Sequence, residues 1–244
     1  MMKISVSANE KALGAAAAAA IAEGLKEAIA QKGSANFLVS TGASQFTTFE
    51  ALIADQSIDW TKVTMYHLDE YVALPERHIA SFRRYLKERF VSRVPLARAV
   101  FVDGEGDVAA NIAALEEEFS RIEIDVGAIG VGENAHIAFN DPPANFDVQS
   151  AYHVVKLSDT CKQQQVNEGW FATLADVPVE AISMTPAQIM KCRRIVSAVP
   201  GPRKAKAIHA MLTAEETTPE VPATLLKEHP HAELFLDVDS AAMV

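Results

Sequence analysis

The sequence predicts an α/β protein of three layers, in which a mostly parallel β-sheet carries helices on both faces. Short apolar segments alternate along the chain with longer segments of helical periodicity, which is the pattern of repeated strand and helix units. Several apolar segments also run directly into glycine-containing loops that open a helix. With 244 residues, 49% of them hydrophobic, the chain can bury one sizeable core, so we expect a single domain over residues 1–244.

The individual elements follow from apolar spacing. Residues 8–32 are rich in alanine, carry apolar side chains at helical spacing and stop at Gly33, which predicts an amphipathic helix. Further helices are predicted over residues 47–54, 79–90, 108–119 and 205–212, with one more after Pro186. Strands are predicted over residues 36–39, 63–68, 99–102, 126–131, 194–198 and 233–238. This order is typical of a Rossmann-like sheet, and the less regular residues 144–180 are expected to form a mobile cover over a site at its edge.

Composition disfavours several classes of protein. The formal net charge of -10 makes nucleic acid and anionic membranes unfavourable partners, so an anionic ligand would need a local positive site. The sequence contains neither a membrane-length apolar run nor a signal-peptide pattern, and we therefore expect a cytoplasmic protein. Cys161 and Cys192 show no metal or disulfide spacing and are interpreted as packing residues. We expect neither a metal nor a cofactor.

The most informative stretch of the chain is DVGAIGVGENAHIAFNDPP, residues 125–143. An apolar strand runs there into a loop that contains Gly130 and Gly132, followed by a cluster of ionisable and amide side chains. In an open α/β sheet ligands bind at the carboxyl ends of the strands, where this loop would lie. His136 and Asp141 can pair in it, which would fix the tautomer of the imidazole and suit it to proton transfer.

Two other loops that follow predicted strands carry features of a phosphate site. In STGASQ, residues 40–45, backbone amides and the hydroxyls of Thr41 and Ser44 can hold a phosphate at a helix N-terminus. In PGPRKAKAIH, Arg203 and Lys204 supply positive charge at the start of another helix. The alternatives are an ordinary N-capping turn for the first loop and a solvated basic turn for the second.

The HLDEYV motif places Asp69 and Glu70 just past a predicted strand, facing the same edge of the sheet. One of these carboxylates can act as a general base. The alternative is an acidic pair that caps a helix. His229 and His231 have no third ligand nearby in sequence and do not predict a metal site.

Together these motifs resemble the glucosamine-6-phosphate deaminase (isomerase) family, which shares its fold with the 6-phosphogluconolactonases. The resemblance is carried, from about residue 35 to residue 240, by STGAS, HLDEYV, GENAHIAFNDPP, GPRKA and PATLLKEH. Several motifs in one order are much more specific than any one of them. HIAFND favours the deaminase branch, because lactonases typically continue from the equivalent histidine with a Thr/Ser-Leu-Phe-Pro-like stretch.

The resemblance implies a reaction and the residues that perform it. The reaction would convert glucosamine 6-phosphate, or a close analogue, to fructose 6-phosphate and ammonia. Asp69 would remove the proton from C2 of the open-chain sugar, and His136, oriented by Asp141, would move a proton to the ring oxygen. The backbone around Gly130 and Gly132 would approach the sugar. The residues that would bind the phosphate are Thr41, Gly42, Ala43, Ser44 and Lys204.

The sequence departs from the family pattern at several positions. Asn134, which we keep in the candidate catalytic group, stands where the family has an aspartate, and its amide cannot exchange a proton at neutral pH. Asp141 stands where the family has a glutamate, so the carboxylate arm is shorter by one methylene. Ala135 replaces a glycine, which matters only if the backbone there requires a positive φ. The segment SDTCKQQQV has no arginine to match a basic phosphate contact of the family, and Lys162 is the nearest candidate.

Two alternatives to the deaminase stay open. A sugar phosphate lactonase would use His136 to activate water against an ester carbonyl. A sugar phosphate binding protein would have kept the pocket and lost turnover, an alternative that Asn134 motivates. In each case the expected partner is a small-molecule sugar phosphate, with neither nucleic acid nor membrane, and a homo-oligomer is left open.

Overall fold

The structure, a computed structural model, describes residues 2–244. Within these residues ten strands form two sheets, and they are β1 (Lys3–Ser7), β2 (Ala35–Val39), β3 (Val63–His67), β4 (Asp69–Tyr71), β5 (Arg98–Val100), β6 (Val126–Ala128), β7 (Tyr152–Lys156), β8 (Glu180–Met184), β9 (Arg194–Val199) and β10 (Ala232–Asp237). The α-helices of the same residues are α1 (Glu10–Lys32), α2 (Phe46–Ala54), α3 (Phe82–Arg89), α4 (Val108–Phe119), α5 (Asp159–Asn167), α6 (Pro186–Ile189), α7 (Ala205–Thr213) and α8 (Leu225–Glu228). None of these helices is both long and apolar enough to cross a bilayer.

The larger sheet is parallel throughout and has the strand order β1-β10-β9-β6-β2-β3-β5. From β2 the chain extends the sheet in one direction through β3 and β5, and it then returns to β6 on the other side of β2. This reversal of direction is a topological switch point, so a crevice opens between the carboxyl ends of β2 and β6. The strand beyond β6 is β9, whose carboxyl end borders the same crevice.

The side chains of the larger sheet alternate between two apolar layers. Along β2, Phe37 and Val39 pack into the layer that contains α1, α2 and α3, whereas Leu38 packs into the layer that contains α4 and α7. Along β10, Phe235 joins the first layer and Leu234 joins the second. Strands that bury both faces need helices on both sides of the sheet. The alternation of strand and helix patterns in the sequence predicts this arrangement. The predicted three-layer α/β/α fold is confirmed.

The ends of α1 illustrate how local sequence defines the elements. The side chain of Asn9 accepts a hydrogen bond from the Ala12 N–H, which caps the first turn. Gly33 ends the helix with φ 82°, a left-handed conformation that glycine adopts without steric cost. The predicted stop at Gly33 is therefore confirmed.

The structure also corrects the sequence-based expectations. Asp69 and Glu70 lie just past β3, as expected, but they also begin the unpredicted strand β4, which pairs antiparallel with β8. Residues 144–180 are more regular than expected, since they contain β7 and α5, and β7 completes a three-stranded sheet with β8 and β4. The mobility of that segment stays a prediction. The sequence patterns also give no sign of β1, an edge strand whose side chains are mostly exposed.

Candidate active site

A cavity of about 370 Å³ lies at the carboxyl ends of β2, β6 and β9. The sequence-predicted residues that line it are Thr41, Gly42, Ala43, Ser44, Asp69, Gly130, Gly132, His136 and Lys204. A groove of about 680 Å³ lies at the opposite, amino ends of the strands, but its charged groups pair with one another, as Arg194 does with Glu233. The smaller cavity brings Asp69, His136 and Lys204 together, a carboxylate, an imidazole and a cation, and is therefore the candidate site.

Two loops of the same shape face this cavity from either side of β6. After β2, Gly42 (φ 102°, ψ 165°) opens a 3-10 turn, Ala43–Gln45, that leads into α2. After β9, Gly201 (φ 89°, ψ 158°) opens a second 3-10 turn, Pro202–Lys204, that leads into α7. Each turn is closed by a hydrogen bond of 3.1 Å from its last N–H to the carbonyl of the glycine. Two helix N-termini thus converge on one cavity, which favours an anionic group between them.

Polar contacts hold both loops in place. The hydroxyl of Tyr85 donates to the Gly42 carbonyl at 2.8 Å. The carboxylate of Asp237 accepts the Gly201 N–H at 3.0 Å. Gln45 is buried, and its amide nitrogen reaches the Ala198 carbonyl of β9 at 3.4 Å. The amide therefore links the first loop to the strand that carries the second.

The charges that line the cavity are unbalanced. Among residues 2–244 the lining carboxylates are Glu10, Asp69, Glu133 and Glu168, and the lining side-chain cations are Arg203 and Lys204. Burial lowers the pKa of Lys204, an effect that the nearby carboxylates of Glu168 and Glu133 oppose. Lys162 does not line the cavity, so it does not replace the arginine of the family. The positive charge for a phosphate comes from the second loop alone.

The two carboxylates of the HLDEYV motif have different environments. Glu70 is fully buried and accepts hydrogen bonds from the N–H groups of Phe82 and Arg83 and from the Ser81 hydroxyl, at the start of α3. It therefore caps a helix, as the alternative interpretation of the motif proposed. Asp69 is only 6% exposed but lines the cavity. Burial and the charge of Glu70 raise the pKa of Asp69 well above its usual range, which makes its carboxylate a stronger base.

His136 lines the cavity, whereas its partners Asp141 and Asn134 do not and form a network behind it. Its Nδ1 atom is 3.1 Å from Asp141 Oδ1, although the ring N–H does not align with that oxygen as a good hydrogen bond would. Asn134 Nδ2 donates to the same oxygen at 3.0 Å, and the Ser158 hydroxyl donates to Asp141 Oδ2 at 2.6 Å. Burial raises the pKa of Asp141, but the neighbouring His136 imidazole and the hydrogen bonds from Asn134 and Ser158 outweigh this effect and lower the pKa to about 2. The shorter arm of Asp141 therefore still reaches the imidazole.

The backbone beside His136 is tightly packed. A Cβ added at Gly132 would lie 2.2 to 2.4 Å from atoms of the imidazole ring, so only glycine fits under it. Ala135 has φ 65°, a left-handed conformation that costs an alanine about 1 kcal/mol. The backbone at Ala135 therefore has a positive φ, and the replacement of the family's glycine by alanine carries a cost at this position.

Comparison with known proteins places the chain in a family. The family described as glucosamine-6-phosphate isomerases/6-phosphogluconolactonase matches residues 8–236. The chain belongs to this family. Glucosamine-6-phosphate deaminase of Exiguobacterium sp. is 34% identical over 219 residues, which cover 89% of this chain and 84% of that protein. The glucosamine-6-phosphate deaminase of Lactobacillus delbrueckii subsp. bulgaricus is 31% identical over 100% of both chains.

Solved structures of the family agree with this assignment. A monomeric glucosamine-6-phosphate deaminase has a TM-score of 0.91 and 26% identity and covers 100% of both chains. 6-phosphogluconolactonase from Trypanosoma brucei has a TM-score of 0.80 at 18% identity, covering 99% of this chain and 98% of that one. At that identity the second likeness concerns the fold alone.

Sequence reasoning missed part of the site. Gln164, Gln165 and Glu168 of α5 and the following turn, together with Trp170, line the cavity. The carboxylate of Glu168 is held by hydrogen bonds from Gln164 Nε2 at 2.8 Å and Trp170 Nε1 at 3.0 Å. The segment DTCKQQQVN buries only Cys161 and Gln165, so it has no apolar periodicity that could indicate a helix. The sole signal was the position of this polar stretch within the expected cover.

Proposed function

We propose that this protein converts a 2-amino-2-deoxyhexose 6-phosphate, with glucosamine 6-phosphate as the leading candidate, to fructose 6-phosphate and ammonia. The observation that carries the proposal is the convergence of Asp69, His136 and Lys204 on one cavity that two helix N-termini face. In this pocket the phosphate lies between the two loops and is bound by backbone N–H groups and by Lys204. The sugar then extends toward Asp69.

The proposed reaction proceeds through proton transfers, which different residues perform. His136, held by Asp141, protonates the ring oxygen as the pyranose opens to the aldehyde. Asp69 takes the proton from C2, which the neighbouring aldehyde acidifies, and returns it to C1. The resulting imine at C2 adds one water and releases ammonia, leaving the ketose phosphate. A carboxylate whose pKa is raised by burial suits the C2 step, because a stronger base removes a weakly acidic proton faster.

The surplus of carboxylates in the cavity supports an amino sugar over a lactone. Glu133 and Glu168 lie close to Lys204 and oppose the binding of a ligand that carries only negative charge. An amino sugar phosphate brings an ammonium group together with the phosphate, whereas 6-phosphogluconolactone brings the phosphate alone. The lactonase alternative is therefore the weaker one.

The decisive experiment supplies purified protein with glucosamine 6-phosphate and, separately, with 6-phosphogluconolactone. We expect ammonia and fructose 6-phosphate from the first substrate and no accelerated opening of the second. Asp69→Asn should abolish turnover with little loss of binding, while Asp147→Asn, the same change at an exposed site, should not affect it. Lactone hydrolysis without ammonia would favour the lactonase, and calorimetric binding of the amino sugar phosphate without turnover would favour the binding protein.

The role of Lys204 can be tested separately. Removing a charge-assisted contact to phosphate costs about 1.5 to 3 kcal/mol, so Lys204→Ala should raise KM by roughly 10- to 100-fold with a smaller change in kcat. Lys206→Ala, at an exposed position two residues further on, should leave KM unchanged. An equal rise in KM in both variants would mean that long-range electrostatic attraction, and not a direct contact with Lys204, binds the phosphate.

The metabolic setting follows from the proposed substrate. Phosphorylated amino sugars do not cross membranes freely, so we expect the protein to act in the cytoplasm, in amino sugar breakdown. Self-association of the protein stays a prediction.

A further inference from the structure

Three side chains of different chemistry meet at the cavity wall, which His136 lines and behind which Asp141 and Cys161 lie. A ring nitrogen of His136, a carboxylate oxygen of Asp141 and Cys161 Sγ all lie within 4.8 Å of one another. The thiol of Cys161 is 1% exposed, and the side chains of Asp141 and His136 are 9% and 13% exposed. The group thus offers one sulfur, one nitrogen and one oxygen donor in a sheltered place beside an open cavity.

The imidazole nitrogen of this group has no well-aligned partner. His136 Nδ1 is buried and makes no hydrogen bond of good geometry within residues 2–244, even though Asp141 Oδ1 is 3.1 Å away. Buried polar atoms without a partner are uncommon and call for an explanation, such as an ion. The separation of 3.1 Å is close to the roughly 3.3 Å between two tetrahedral nitrogen and oxygen ligands of zinc, each at about 2.0 to 2.2 Å from the metal.

The surroundings would hold these donors in position for a metal. The Ser158 hydroxyl and the Asn134 amide each fix one oxygen of Asp141, which leaves a lone pair of Oδ1 free for a further partner. Ser158 also accepts the Cys161 N–H at 3.1 Å, so one side chain fixes the carboxylate and the backbone of the thiol. Hydrogen bonds that orient ligands in this way strengthen metal binding.

We propose that His136, Asp141 and Cys161 form a binding site for a thiophilic divalent cation, with Zn²⁺ as the best match, and that occupancy inhibits the enzyme. The mixed donor set suits zinc and disfavours Mg²⁺ and Ca²⁺, which select oxygen. Binding replaces the proton of the Cys161 thiol, which leaves to solvent, and the imidazole binds as the neutral ring through Nδ1. Water takes the fourth position. A movement of about 1 Å closes the three donors to tetrahedral spacing.

Inhibition follows from the residues that the cation occupies. His136 and Asp141 bound to a metal can no longer exchange a proton with a substrate, whereas Asp69 and Lys204 are untouched. A sugar phosphate should therefore still bind to the loaded protein. The inhibition rests on the proposed function, whereas the binding of the metal does not, since the donors are identified by geometry alone.

The experiment titrates the metal-free full chain with Co²⁺, whose thiolate complexes give an intense charge-transfer absorption, and then displaces Co²⁺ with Zn²⁺. We expect one equivalent to produce the absorption in the wild type and in Cys192→Ser, which removes the other buried thiol. Cys161→Ser and Cys161→Ala should lose the absorption and weaken Zn²⁺ binding by about tenfold or more. Zn²⁺ should raise the unfolding temperature of the wild type and of Cys192→Ser only.

Several outcomes would overturn the site. No thiolate absorption in the wild type, or the same absorption in both Cys161 variants, would exclude it, and loss in Cys192→Ser alone would move it to the other cysteine. The unfolding temperature of each metal-free variant shows that it is folded. Because these readouts need no substrate, they stay interpretable if the protein proves not to be a deaminase. If it is one, Zn²⁺ should inhibit wild type and Cys192→Ser far more than the Cys161 variants, reversibly with a chelator.

Discussion

The proposed role of Asp69 as a base comes with a cost in stability. Its raised pKa shows that the folded protein disfavours the ionised form, through burial first and then through Glu70. We expect Asp69→Asn to stabilise the protein by about 1 to 3 kcal/mol at neutral pH while turnover is lost. The penalty of the wild type is present above the folded pKa and disappears below the ordinary value of 3.8. Urea unfolding of the two proteins should therefore differ most near neutral pH and converge toward pH 4.

A matched substitution separates this effect from the loss of a negative charge in an acidic protein. Asp147→Asn removes the same charge at an exposed position and should change the free energy of unfolding by less than about 0.5 kcal/mol. If the difference in the free energy of unfolding between Asp69→Asn and wild type does not vary with pH, the raised pKa of Asp69 is not its cause.

Asn134 is the second residue whose local chemistry bears on the proposed function. Its amide donates to Asp141 Oδ1, the oxygen that also contacts His136, so an aspartate there would place two carboxylates at about hydrogen-bond distance. Restoring the family residue with Asn134→Asp should therefore lower kcat by about tenfold or more and move the acid limb of the pH-rate profile. Asn134→Ala removes the hydrogen bond without adding charge, so its kcat should lie between those of wild type and Asn134→Asp. An Asn134→Asp variant more active than wild type would show instead that this position needs a proton-exchanging group.

The paired loops after β2 and β9 act as units, and their shape depends on glycine. Gly42 has φ 102° and ψ 165°, a region that is essentially restricted to glycine and costs other residues about 1 to 3 kcal/mol. Gly42→Ala should therefore turn the first loop away from the phosphate and raise KM for the sugar phosphate by roughly tenfold or more, with a smaller effect on kcat. Gly33→Ala introduces an alanine at another positive φ, at the end of α1 and outside the cavity. It should lower stability and leave KM unchanged, and a rise in KM there too would point to general destabilisation.

Most of the larger sheet was predictable, because its inner strands bury both faces and end at glycine or polar loops, whereas the exposed edge strand β1 was not. The position of the loops that carry Thr41, Lys204 and His136 was also predictable, since a parallel sheet gathers the carboxyl ends of its strands at one edge.

Other parts of the structure depend on contacts between residues far apart in sequence and could not be inferred from local patterns. β4 is three residues long and exists because β8 lies beside it, and Glu70 caps a helix that begins twelve residues later. Glu168 and its polar helix carry no apolar periodicity, so their place over the cavity becomes evident only in three dimensions.

Stability of the whole molecule in acid depends on buried groups with opposite tendencies. Burial, and to a lesser degree the charge of Arg83, lowers the pKa of His67 from its ordinary 6.5 to about 3, so below pH 6.5 the unfolded chain takes up a proton that the folded protein does not. This lowers the free energy of unfolding by up to about 1.4 kcal/mol per pH unit until about pH 3. Asp69 and Glu70 act in the other direction, because their raised pKa values make the folded protein bind protons first.

His67→Phe isolates the histidine contribution. The ring keeps its edge contact with Phe101 and loses only a long hydrogen bond of 3.4 Å from the Val102 N–H. The free energy of unfolding of this variant, relative to wild type, should increase by roughly 1 kcal/mol for each pH unit from pH 6 down to pH 4. The exposed His209 provides the control, since His209→Phe should show no such trend. A difference between His67→Phe and wild type that stays constant over this range would mean that the buried imidazole takes up its proton without unfolding the sheet around it.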